Sequence, residues 1–232
     1  MGEQDSTLAE RMATAARELQ DQQDPDSTMG SAVSLVLRNV PEADGVGLSL
    51  VRRRSKIETP AYTHDFVLTC DRLQNELDEG PCHDAILEGA VVFSKDLSRD
   101  ERWPTWAPRV AEVAGIRSML CFRLFTQADT VGGLNIYSRD PRGFGDEARE
   151  EGLALAAHIS VAVAGALAIG HLQTAVDSRT ILGQAVGIVM ERYGLDADRA
   201  FAVLSRLSQH ANRKLSELAK ELVTTGKLPS AD

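Results

Sequence analysis

From Asp146 to Tyr193 the sequence contains no proline, and apolar or small residues recur every three or four positions, from Leu153, Ala157 and Val161 to Leu182, Ala185 and Val189. That spacing predicts one long amphipathic helix. Glu147, Glu150 and Glu151 suit its start, where carboxylates complement the helix dipole, and Gly194 is the first strong stop. Such a helix, if straight, is about 70 Å long. It outruns a small domain, so two units joined through it are expected. Its alanine-rich stripe lets a second helix approach closely, which predicts a parallel homodimer through residues 146–193. Two shorter helices with a break near Gly170 or Ser178 are the alternative, because a lone glycine costs only about 1 kcal/mol in a helix.

Before this helix the periodicity changes twice. Leu8, Met12, Ala15, Ala16 and Leu19 predict a helix over residues 6–21, broken at Asp24, Pro25 and Asp26. A second helical pattern through Val33, Leu35, Val36 and Leu37 ends before Pro41, since proline disfavours helix in the residue preceding it. Short strand-like runs follow at Val46–Val51, Val91–Phe93, Ser118–Phe125 and Val131–Ser138, the last two joined by a polar hairpin loop. Helical stretches at Cys82–Glu88 and Ala107–Val113 interrupt them. The fold class expected is therefore α+β, an antiparallel sheet with flanking helices.

After Gly194 two more helices are expected. Asp196 suits an N-cap for a helix burying Ala200, Phe201, Leu204, Leu207 and Ala211, and Leu215, Leu218, Ala219, Leu222 and Val223 repeat at helical spacing up to Gly226. With the end of the long helix they make a three-helix unit.

The formal net charge of -9 argues against sequence-independent coating of nucleic acid, which relies on a positive surface. The charge is unevenly placed. From His171 onward eight basic residues meet seven acidic ones, so the preceding part carries the negative excess. Arg199, Arg206 and Arg213 lie seven residues apart, which places them along one helix face and the turn beyond it. Arg213 and Lys214 open the last helix, where free backbone N–H groups favour a phosphate, and Arg179 lies on the long helix. Asn212 suits either a base edge or a helix cap. The apolar runs Val161–Ala164 and Ala166–Ile169 fall short of the roughly 20 residues that span a bilayer, and no export signal is visible. Cys70, Cys82 and Cys121 are odd in number and lack CxxC spacing, which suits reduced thiols in the cytoplasm.

The run Ser178-Arg-Thr-Ile-Leu-Gly-Gln-Ala-Val-Gly-Ile-Val-Met-Glu-Arg-Tyr-Gly194, with Ala200-Phe201, Leu204, Asn212-Arg-Lys-Leu215 and Leu218-Ala219, resembles the ANTAR domain of transcription antitermination regulators. The resemblance implies a three-helix RNA-binding domain over 169–228, dimerised through its first helix and holding an antiterminator hairpin in nascent messenger RNA. It supports Arg179, Arg206, Asn212, Arg213 and Lys214 as RNA-binding residues. Many members carry lysine where Val186 stands, so one contact of relatives is expected to be absent. Upstream, Ala43-Asp44-Gly45, Glu79-Gly-Pro-Cys82, Asp96-Leu-Ser98, Arg102-Trp-Pro104, Gly115-Ile-Arg-Ser118 and Gly132-Gly-Leu-Asn-Ile-Tyr137 resemble the GAF domains that precede ANTAR domains in actinobacterial regulators. That implies a sensor over 28–168, after an N-terminal helix in 1–27, with a pocket on one sheet face for an unknown small molecule.

No enzyme is expected. Cys82-His83 pairs a thiol with an imidazole, yet adjacent residues rarely serve one reacting group and no third residue orients them. The dipeptide lies too early in the domain for bilin attachment. His64, Cys70, Cys82 and His83 fit no compact zinc spacing, and Gly132-Gly133 does not open a helix after a strand, so neither metal nor dinucleotide cofactor is expected. Trp103 and Trp106 are read as packing against the sheet rather than stacking on a ligand. Two other functions stay open: a helix-turn-helix regulator entering the DNA major groove, and a ligand-independent dimerisation or protein-interaction module.

Overall fold

The computed structural model describes residues 7–51, 57–88, 91–126 and 130–228. The chain divides into two compact units, Met1–Leu167 and Ala168–Asp232. The first begins with α1 (Leu8–Gln20), where Thr7 and Glu10 form a reciprocal capping box. Pro25, expected as a breaker, in fact opens α2 (Pro25–Asn39): Asp24 caps the helix by accepting from Ser27 N at 2.9 Å, and a first-turn proline has no N–H to waste.

The strands are β1 (Gly45–Val51), β2 (Ile57–Tyr62), β3 (Val92–Ser94), β4 (Ser118–Phe125) and β5 (Thr130–Ser138). They form one antiparallel sheet in the order β2-β1-β5-β4-β3. Between them lie α3 (Asp65–Leu77), α4 (Pro81–Glu88) and α5 (Trp106–Ala114). The sequence reading missed β2 and α3. Strand β2 contains Glu58 and Pro60 and is an edge strand, the place in a sheet that tolerates proline. Helix α3 buries Asp71 and Gln74 beside Val67 and Cys70, so its inward face does not read as apolar.

Both sheet faces are covered. Val46, Leu48 and Leu50 of β1, with Leu134 and Ile136 of β5, pack in one core with Met12, Ala15 and Leu19 of α1 and with α2. The long helix α6 (Asp146–Tyr193) adds Leu155, Ala156, Ile159 and Val163 to that core. On the other face Val67, Cys82, Trp103, Trp106, Met119 and Tyr137 belong to a second core. Strand β5 passes so close to β1 that a Cβ on Gly132 would lie 1.8 Å from the Ser49 carbonyl oxygen. Backbone cannot yield to that contact. Gly132→Ala should therefore destabilise the protein by about 3 kcal/mol, the upper range for overpacking, read as a lower denaturant midpoint at unchanged slope.

Helix α6 is continuous, without the break considered at Gly170 or Ser178. Its stripe serves different ends along its length. Leu153 and Val161 are exposed, whereas Ala185 and Val189 are fully buried in the core of the second unit. The run-length argument against a membrane span also needs correction: α6 holds an 18-residue window of mean hydropathy 2.0, long and apolar enough by composition to cross a bilayer. Alanine, glycine and histidine separate its aliphatic runs without adding a carboxylate, lysine or arginine. A third of that window is buried, and Leu155, Ala156, Ile159 and Val163 of α6 belong to the sheet core of the first unit.

In the second unit α7 (Ala197–His210) and α8 (Leu215–Thr225) pack with the end of α6 around Ala185, Val189, Ala200, Leu204, Leu218, Ala219 and Leu222. Asp196 caps α7, accepting from Arg199 N at 2.8 Å. Phe201 and Ala211, expected inside, are exposed. Leu204 continues the buried line from Ala200, and Phe201 falls about 100° round the helix from Ala200, outside the contact with α6 and α8.

Candidate functional site

The second core contains a polar cluster centred on Asp71 of α3, which is 3 % exposed. Its Oδ2 accepts from Thr59 Oγ1 at 2.8 Å and Ser49 Oγ at 3.3 Å. Its Oδ1 accepts from Asn135 Nδ2 at 3.1 Å, Gln74 Nε2 at 3.4 Å and the Tyr137 hydroxyl. All five donors are neutral. Burial pushes the Asp71 carboxyl above its ordinary value, opposed by the hydrogen bonds from Tyr137, Thr59, Ser49 and Asn135. Burial likewise holds Tyr137 well up, aided by the neighbouring Asp71.

The backbone makes room for this cluster by omitting side chains. A Cβ on Gly47 would lie 2.7 Å from Val67 Cγ1 and 3.2 Å from Asp71 Oδ2, so its absence lets α3 lie flat on β1. Gln74 also accepts from Cys82 N at 2.8 Å, tying α3 to α4. Cys121 of β4 donates its thiol to Asn135 Oδ1 at 2.9 Å and is pushed well up by burial, then by its contact with Cys82. The three cysteines are free and buried.

His83 Nδ1 lies 3.4 Å from Asp78 Oδ1, while its buried Nε2 has no hydrogen-bond partner among the described residues. Trp103 and Trp106 are packed edge to face at 5.9 Å in the same core, as sheet-packing residues should be. Ser49, Asp71, Gln74, Cys82 and His83 border a void of about 140 Å³, too narrow to admit water. A larger groove of about 830 Å³ lies on the opposite side, between α1, α2 and the start of α6, where Arg11 pairs with Glu151 at 3.0 Å and Arg38 with Glu18 at 2.7 Å. Among the described residues no three His, Cys, Asp or Glu groups converge as a metal site.

The Asp71 cluster was not singled out from sequence, although half its signal lies in Gly132-Gly-Leu-Asn-Ile-Tyr137. Leu134 and Ile136 alternate there with Gly133, Asn135 and Tyr137, so one strand presents an aliphatic face and a polar face. Only α3, which was missed, buries the polar one.

In the second unit the residues suggested by sequence lie on α6, on α7 and in the turn before α8. Arg179 is exposed on α6 and Arg206 on α7. Neither makes an ion pair among the described residues. Asn212 adopts the left-handed conformation at φ +50° and ends α7: its N–H donates to Gln209 O at 3.2 Å, and Arg213 N–H to Ser208 O at 3.0 Å. Its backbone is thus a helix cap. Arg213 pairs with Glu221 at 2.7 Å, and Lys214 is the N-cap of α8 without a side-chain capping hydrogen bond. Arg199 is occupied by Asp196 at 3.4 Å, which sets it apart from Arg206.

A model of the GAF domain matches residues 22–164, more than half of the chain. The chain belongs to the GAF-domain family. A model of the ANTAR domain matches residues 170–223, so this GAF protein joins a sensor domain to a known RNA-binding antitermination module. It is a signal-responsive regulator by domain content, and that content points to a regulator rather than an enzyme. No curated protein matches the chain. Among solved structures, it resembles the GAF domain of an Acinetobacter phosphoenolpyruvate-protein phosphotransferase (18% identity, 69% of this chain and 95% of that one, TM-score 0.53). It also resembles the GAF domain of the Coxiella burnetii phosphotransferase (16%, 71% and 96%, TM-score 0.57). A third is the free methionine-R-sulfoxide reductase of Neisseria meningitidis (16%, 70% and 91%, TM-score 0.55). At these identities the likeness is one of fold.

Proposed function

We propose that the protein is an RNA-binding transcription antitermination regulator that acts as a cytoplasmic homodimer, holds a hairpin of nascent messenger RNA, and answers a small molecule sensed by its GAF domain. The observation that carries this reading is the ANTAR match over a three-helix unit whose Arg179 and Arg206 are exposed, with no carboxylate partner among the described residues. Residues 28–168 are the sensor and 169–228 the RNA-binding domain, with Arg179, Arg206, Asn212, Arg213 and Lys214 meeting RNA. The continuity of α6 from one unit into the other supports transmission through that helix. A ligand entering the face covered by α3 and α4 has to part the hydrogen bonds around Asp71, because the void beside them does not admit water. The buried free thiols fit a reducing compartment.

Arg213→Ala with Lys214→Ala should weaken binding to a hairpin RNA and flatten its salt dependence by about 0.7 in slope for each lost phosphate contact. Circular dichroism should not change, since both side chains lie outside the core of Leu218, Ala219 and Leu222. Titration of hairpin RNA and duplex DNA of equal length over a salt series is the test. Equal affinity for the two nucleic acids, or an unchanged slope in the variant, replaces this reading by DNA binding or by a protein-interaction module.

A further inference from the structure

Two of the three buried cysteines meet at one place in the fold. Cys82 lies in the first turn of α4, which two hydrogen bonds hold in place: Cys82 N donates to Gln74 Oε1 at 2.8 Å, and Trp103 Nε1 donates to Asp84 Oδ2 at 2.8 Å. Cys82 and Ala85, three residues apart on that helix, are buried in the core on the polar side of the sheet. Cys121 stands on β4 opposite Asn135 of β5. Gly133 lies two residues before Asn135, on the same face of β5. A Cβ on Gly133 would be 3.0 Å from Cys82 Sγ and 3.7 Å from Cys121 Sγ, so the two sulfurs share the space that this glycine leaves open. Sulfurs that already adjoin each other need a small closing shift, not a rearrangement of the chain, to be joined.

The pair is wired to the Asp71 cluster. The Cys121 thiol donates to Asn135 Oδ1 at 2.9 Å, and Asn135 Nδ2 donates to Asp71 Oδ1 at 3.1 Å. Joining the sulfurs removes that thiol hydrogen and ties α4 to β4 beside Asn135. The two cysteines also differ in access. Cys82 borders the void next to Asp71, and its neighbour His83 is partly exposed, whereas Cys121 lies on an inner strand between β3 and β5. A small oxidant therefore meets Cys82 first.

We propose that Cys82 and Cys121 are a redox pair, which a hydroperoxide oxidises to an intrachain disulfide that fastens α4 to β4 and holds the Asp71 face of the GAF domain closed. The Cys82 sulfur attacks one peroxide oxygen, the O–O bond breaks, and the thiol proton leaves in the first water (or alcohol), giving a sulfenic acid. The Cys121 sulfur then attacks the Cys82 sulfur, the S–O bond breaks, and the second proton leaves in water. Two electrons pass from the two sulfurs to the peroxide. In a reducing compartment such a bond is transient, as a signal has to be.

Hydrogen peroxide added to the reduced full chain should remove two hydrogens from its mass. Peptide mapping without reductant should find the Cys82 and Cys121 peptides joined, and dithiothreitol should restore both thiols. The oxidised chain should melt about 5 °C or more above the reduced one, because the link closes a loop of about 40 residues. Cys82→Ser and Cys121→Ser should each abolish the link and the rise, whereas Cys70→Ser should keep both. The wild-type map decides the pairing even if a variant fails to fold. Thiols that withstand peroxide in the folded chain, a link that uses Cys70 or joins two chains, or sulfinic acid in place of a link would overturn the pair. A link without a rise in melting temperature would overturn the closing of the face. The pair lies in the first unit, so these outcomes are independent of whether the second unit binds RNA.

Discussion

Val161→Glu combined with Leu172→Glu should convert the protein from dimer to monomer at micromolar concentration. Between Glu151 and Asp177 helix α6 has no Asp, Glu, Lys or Arg. Within that stretch Leu153, Val161, Ile169, Leu172 and Val176 are each more than half exposed. Five large aliphatic side chains on a charge-free helix are too much apolar surface to leave in water, since each contributes about 1.5–3 kcal/mol when fully buried. A second α6 laid parallel would cover Val161, Ile169, Leu172 and Val176, which fall within about 80° of one another around the helix, and bring identical positions together across a two-fold axis. At those positions a glutamate meets its own copy, so the substitution removes apolar contact and adds like-charge repulsion in one step. Neither Val161 nor Leu172 belongs to a core of either unit, so each protomer should keep its helix content. Sedimentation of wild type and variant decides the matter. A wild type that is monomeric removes the dimer from the proposed function, and a variant that stays dimeric moves its interface away from this stretch of α6.

The contrast between α6 and α3 explains what was legible in the sequence. Helix α6 announces itself because forty-eight proline-free residues repeat one spacing and end at a glycine, and its observed bounds are those read from the sequence. Its exposure was not legible. Val161 and Val189 have the same side chain, yet Val189 meets α7 and α8, which follow it in the chain, while Val161 has no such neighbour. Periodicity identifies a stripe without saying what covers it. Helix α3 fails in the opposite way, since its buried face carries Asp71 and Gln74, and a polar residue facing inward has the same sequence signature as one facing water. The C-terminal unit was legible helix by helix because caps are local: Asp196, Gly194 and Gly226 act on neighbouring backbone alone. Phe201 was misplaced because apolar character was taken as burial, and an exposed ring differs from a buried one only in what packs against it.

Asp71→Ala should lower the melting temperature by about 10 °C, whereas Asp71→Asn should be tolerated and should grow more favourable relative to wild type as pH rises. Alanine removes the common acceptor of Tyr137, Asn135, Thr59 and Ser49 beside a void too narrow to admit water, and an unsatisfied buried donor costs about 1–3 kcal/mol. Two such losses give a shift of about that size in a chain of this length. Asparagine retains a carbonyl that accepts from Tyr137 and Asn135, and its amide donates to the hydroxyls of Thr59 and Ser49, which rotate to accept. The pH dependence follows from the direction of the shift. The folded carboxyl is raised above the ordinary 3.8 chiefly by burial, so the folded state binds its proton more tightly than the unfolded chain does. Its contribution is complete below the unfolded value and is lost as pH rises through the folded one. Asparagine carries no such proton, so the difference in melting temperature, variant minus wild type, should increase from about pH 4 upward. Tyr137, Cys70 and Cys121 face the same cluster and are all pushed up by burial, so they stay neutral over the acidic and neutral range and do not produce this trend. His83 and Asp84 are present in both proteins and cancel in the difference. A flat difference across pH would show that Asp71 ionises in the folded protein as it does in the unfolded chain, its five donors fully offsetting its burial. An alanine variant as stable as wild type would show that the cluster is not held together by this carboxyl at all.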